Sequence, residues 1–97
     1  MNNLFISYDL YQPGQSYERV AEAIKSLGNW AKVQKSFWYV RSSLTASQAL
    51  DRLKLAVDTN DSIIVVDATN DAAAWQGVDS EVGEFMRKQW SSNGAYV

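Results

Sequence analysis

The chain has 97 residues, which is one domain of small size with no room for separate catalytic and regulatory halves. It contains no cysteine and no histidine, so disulfides, thiolate zinc sites, a thiol nucleophile and an imidazole base are all excluded. A net charge of −2 and a pI of about 4.9 give no overall basic field of the kind that phosphate neutralisation requires.

Hydrophobic residues make up 46% of the chain, with one proline, which is enough to build a packed core. Met1-Asn2-Asn3 runs directly into the apolar segment Leu4-Phe5-Ile6, without a basic region or a small-residue cleavage site. No secretory leader is therefore expected. No apolar run reaches membrane-spanning length, so no membrane association and a cytoplasmic location are the expectations.

Leu4 to Tyr8 reads as the first strand, ending at Asp9. Gln12-Pro13-Gly14 signals a turn and Ser16 can cap the helix that follows. Val20, Ile24 and Leu27 recur at i, i+4 and i+7, the stripe of an amphipathic helix that stops at Gly28-Asn29. Trp30 to Val33 and Phe37 to Arg41 read as two strands joined through Gln34-Lys35-Ser36. Thr45 and Gln48 have capping-box spacing ahead of a second helix with Leu50, Leu53 and Val57 inward. Ser62 to Val66 is a β-branched fourth strand. Asp71 to Gly77 predicts one or two helical turns. Asp79 then caps a third helix with Val82, Phe85, Met86 and Trp90 inward. A single domain over 1–90 and a flexible tail over 91–97 are expected.

This order predicts an α+β fold, a ferredoxin-like βαββαβ antiparallel sandwich with an extra C-terminal helix. Two helices cover one face of such a sheet, and strands with one wet face should alternate in polarity. Leu4-Phe5-Ile6, Phe37-Trp38-Tyr39-Val40 and Ile63-Ile64-Val65-Val66 do not alternate, so the second face needs a cover. The third helix could supply it in a monomer. A second copy packing sheet on sheet would supply it in a homodimer.

Asp9, at the end of the first strand, and Asp61, at the start of the fourth, are the candidate metal ligands. In the expected sheet order they lie on neighbouring strands. Paired carboxylates hold a hard cation such as Mg²⁺ and ready a water for phosphodiester attack. Alternatively both are turn and cap residues that accept backbone N–H groups. Lys32, Lys35 and Arg41 interleave with Trp30, Trp38 and Tyr39, a composition that holds single strands by stacking beside cations. The same aromatics also suit a core with a cationic rim.

Several landmarks together resemble a known family. Ser7-Tyr8-Asp9-Leu10, Arg19-Val20, Leu27-Gly28, Val33-Gln34-Lys35-Ser36-Phe37 and Asp61-Ser62-Ile63 look like those of Cas2 proteins, small CRISPR-associated dimers, and of the related VapD-type toxins. The resemblance spans Leu4 to Asp67. It implies a ferredoxin-like homodimer and assigns Asp9 as the catalytic, metal-holding aspartate of a metal-dependent endonuclease acting on RNA or DNA. The resemblance adds Arg19, Ser36 and Phe37 to Lys32, Lys35 and Arg41 as candidate nucleic-acid-binding residues. The chain departs from that pattern in four ways. Arg19 stands alone where the family carries several arginines, Tyr39 or a neighbour replaces an acidic residue, the third helix extends the usual ending, and the pI is acidic. The alternative is a non-catalytic dimeric adaptor that binds a nucleic acid or a protein partner, and a third reading is a regulatory domain with a small ligand at the dimer cleft.

Overall fold

The structure, a computed structural model, describes residues 1–11 and 17–90. The Gln12-Pro13-Gly14 turn, the Ser16 cap and the tail at 91–97 lie outside the described residues. Along the chain run β1 (Asn2–Asp9), α1 (Tyr17–Lys25), β2 (Asn29–Gln34) and β3 (Phe37–Ser42). Then come α2 (Ala46–Leu53) with a 3₁₀ turn at Lys54–Ala56, β4 (Ser62–Asp67) and α3 (Ser80–Gln89). The strands form one antiparallel sheet in the order β2-β3-β1-β4. The fold class is α+β.

Local chemistry sets the element ends. The Thr45 hydroxyl accepts from Gln48 N at 3.1 Å while the Gln48 side chain accepts from Thr45 N at 3.0 Å, closing the capping box of α2. The Asp79 carboxylate accepts from Glu81 N at 2.9 Å and starts α3. Gly28 follows α1 where the chain turns into β2. A Cβ there would sit 2.2 Å from the carbonyl oxygen of Arg41, so only glycine lets the backbones approach.

The pleat sorts alternate strand residues to two cores. On one face Leu4, Ile6, Tyr8, Trp38 and Val40 pack against Val20, Ile24 and Leu27 from α1 and Ala49 and Leu53 from α2. On the other face Tyr39, with Phe5 and Val33, packs under Val82, Phe85 and Met86 of α3 and under Trp90. Tyr39 stacks on Trp90 with ring centroids 5.7 Å apart. The third helix is therefore the cover of the second face over β1, β3 and β2. It does not reach the outer half of β4, where Ile64 is 59% and Val66 50% exposed.

The segment expected to be helical at Asp71–Gly77 contains no helix. It enters through Asn70 at φ 67° and leaves through Gly77 at φ 76°, both left-handed. Between them it is a strap. The carbonyl of Asp71 accepts from the Trp90 indole N–H at 2.9 Å, and Trp75 packs on Gly83 of α3. Alanine favours helix locally, but here the backbone is committed to tertiary contacts. Among the described residues, no helix is long and apolar enough to cross a membrane.

Candidate functional site

The sheet topology collects most of the sequence-selected residues at one end. Ser7 pairs with Phe37, Tyr8 N donates to the carbonyl of Ser36 at 3.2 Å, and Asp9 pairs with Ser62, the residue after Asp61. Asp9, Ser36, Phe37 and Asp61 thus share the end of the sheet where β1 finishes. Their side chains do different work.

Asp9 is exposed and alternates with the buried Tyr8, so it stands on the α3 side of the sheet. Asp61 is half-buried and engaged. One carboxylate oxygen accepts from Tyr11 N at 2.7 Å and the other from Asp58 N at 2.8 Å. It ties the chain beyond β1 to the loop before β4, which is the cap role of an aspartate. Among the described residues, no group of three or more acidic side chains that could hold a metal ion occurs.

The basic residues do not form one surface. Lys32 lies on the α1 face of the sheet, 5.8 Å from the centroid of the Trp38 ring. Trp38 is itself 3% exposed, a core residue whose indole N–H donates to the Tyr8 hydroxyl at 3.3 Å. Trp30 is exposed, beneath the Lys25 ammonium at 4.8 Å. Lys35 sits in the β2–β3 turn. Arg41 is on the opposite face and at the opposite end, where its guanidinium donates to the carbonyl of Gln89 at 3.0 Å, the last residue of α3. That contact suits the negative end of the helix. Arg19 donates to the carbonyl of Leu55 at 3.1 Å, bridging α1 to the 3₁₀ turn across a cleft of about 450 Å³ that Glu18, Glu22 and Arg52 also line.

Two apolar features stand outside the residues selected as site candidates. One is an apolar cleft of about 230 Å³ between Phe5, Phe37, Val33 and Met86 and the strap at Ala73–Trp75. The other is the β4 margin, where Ile64 and Val66 continue the face of the stacked Phe5–Phe37 pair, 5.2 Å between centroids. The unbroken Ile63–Val66 run carried the signal for the second. Nothing local marked the first, because the strap was read as helix.

No family model, no curated protein and no solved structure matches this chain.

Proposed function

We propose that this chain is a ferredoxin-like, Cas2-like module that works by assembly, as a homodimeric adaptor for a protein partner. The strand order β2-β3-β1-β4, with α1 and α2 on one face, supports the ferredoxin-like part of this reading. The single observation that carries the adaptor part is the half-exposed pair Ile64 and Val66, adjoining Phe5 and Phe37 at the uncovered margin of the sheet. Side chains of that kind gain on the order of 1 kcal/mol each when association completes their burial. The cations are divided between faces, and Arg41 and Arg19 are bonded to carbonyls, which argues against a continuous phosphate track.

A metal-dependent endonuclease is the second reading, and one observation favours it. Asp9 is exposed, next to the Ser36–Phe37 segment that the Cas2 resemblance assigns to nucleic-acid binding. In that case Asp9, with its symmetry mate in a dimer, would hold Mg²⁺. Light scattering at micromolar concentration, together with incubation with single-stranded RNA and duplex DNA with and without Mg²⁺, separates the two. The adaptor reading expects a dimer and no cleavage. Mg²⁺-dependent cleavage that disappears in Asp9→Asn selects the nuclease instead.

A further inference from the structure

The sheet has two edge strands, and they are treated differently. The β2 edge carries the exposed Lys32, has a bulge between Lys32 and Gln34, and is flanked by α3, with Asn29 donating to the Gln89 side chain at 3.4 Å. Lysine, bulges and covering elements are the usual ways of blunting an edge. Among the described residues, strand β4 has none of them. Its register with β1 is continuous from Asp67 to Ser62, it holds no proline, and no charged residue lies between Ser62 and Asp67.

The ladder identifies which backbone groups face outward. Ala68 N donates to the carbonyl of Asn3 at 2.8 Å, and pairing alternates in antiparallel strands. Ser62, Ile64 and Val66 therefore turn their N–H and C=O groups to β1, while Ile63, Val65 and Asp67 turn theirs away from the sheet. Among the described residues no strand pairs with that outer side.

We infer that the outer edge of β4 pairs antiparallel with β4 of a second copy, about a two-fold axis at Val65, joining two sheets into one. This rests on the homodimer reading above and gives it a geometry. A second copy is the fitting partner because from Ile63 to Val66 this edge offers only backbone and apolar side chains, a run that is self-complementary in antiparallel pairing, and its one charge, Asp67, lies at the end of the strand. Charge also fixes the register. An axis at Ile64 would set Asp67 opposite Asp61 of the second copy, and like charges directly opposite are unfavourable. An axis at Val66 would bring the two Asp67 residues to roughly 7 Å along the strand. With the axis at Val65, Asp67 faces Ile63 and the two Asp67 residues lie about 13 Å apart along the strand, beyond the screening length of about 8 Å in physiological salt. Ile64 then faces Val66 of the second copy in a close, non-hydrogen-bonded pair on the exposed face. Both copies keep α1 and α2 on the same side of the joined sheet.

Amide hydrogen exchange and light scattering on the intact chain test this. The expected mass at micromolar concentration is twice the 10.9 kDa of one chain. The amides of Ile63, Val65 and Asp67 should gain protection as concentration rises. Ile64→Lys, at an exposed position, should return the mass to that of one chain with an unchanged circular dichroism spectrum. Val65→Pro, which removes an outward donor without touching a β1 hydrogen bond, should do the same. A dimer in which these three amides exchange freely, or which survives Ile64→Lys, overturns the edge pairing and leaves the homodimer reading standing. A strict monomer at all concentrations overturns both.

Discussion

The hydroxyl of Tyr39 donates a 2.9 Å hydrogen bond to Oδ1 of Asn3, and neither residue reaches solvent. The two sit on adjacent strands beneath α3, and Asn3 also anchors the chain after β4, with its N–H donating to the Thr69 hydroxyl at 3.0 Å. Burial pushes the Tyr39 phenol up to about 12, with the Arg41 guanidinium pulling weakly the other way. A folded-state value raised above the ordinary one near 10 favours the fold while the phenol is protonated. The contribution is full below pH 10 and is lost as pH rises from 10 to about 12. Wild type should therefore lose stability across that window. Tyr39→Phe should show a smaller alkaline slope at a cost of about 1–2 kcal/mol near neutrality, read from urea midpoints at several pH values. Equal slopes in both proteins would remove Tyr39 as the cause.

Trp38 and Trp75 belong to different cores, and charge placed at each should have different consequences. Trp38→Asp puts a carboxylate between β3 and the α1–α2 layer, at a position 3% exposed, and should abolish cooperative thermal unfolding. Trp75→Asp loosens the strap against Gly83 and should lower the melting temperature while the sheet and its circular dichroism persist. Equal losses in the two variants would contradict the division into two cores.

Asp61→Ala removes the acceptor for both Tyr11 N and Asp58 N. A loss of about 1–2 kcal/mol is expected, as for other caps. The loss should be the same with Mg²⁺ and with a chelator, measured by thermal melting. A stabilisation by Mg²⁺ that wild type shows and Asp61→Ala lacks would make Asp61 a metal ligand.

Gly28→Ala forces a methyl group onto the carbonyl of Arg41, which lies 2.2 Å from where the carbon must go. The backbones of β2 and β3 would have to separate, costing about 1–3 kcal/mol. Urea denaturation gives the number. A neutral outcome would mean that the turn after α1 relaxes freely.

Much of this architecture was legible in the residues, for identifiable reasons. The β-branched run Ser62–Val66 and the stripe Val20, Ile24 and Leu27 carry their periods openly, and Thr45 with Gln48 announces a helix start. Apolar residues at consecutive strand positions required a second cover, and α3 supplies most of it. The strap was not legible, because Ala72–Ala74 favour helix while the deciding contacts come from Trp90 and Gly83. The basic residues cluster along one hairpin of the sequence, but Lys32 and Arg41 fall on opposite faces through the pleat and register of their strands. The approach of Asp61 to the end of β1 followed from topology. Its engagement by Tyr11 and Asp58 did not, since which amides a loop carboxylate meets is settled only in three dimensions.

The second core joins Phe5, Val33 and Tyr39 from the strands to Trp75, Met86 and Trp90 from the late part of the described chain. During synthesis the first four strands and two helices emerge before α3, so the growing chain presents Tyr39, Phe5 and Phe37 as a bare aromatic surface. A nascent chain halted near Asp67 would offer that surface to chaperones or to its neighbours on the same message. Docking of α3 is the event that closes that surface.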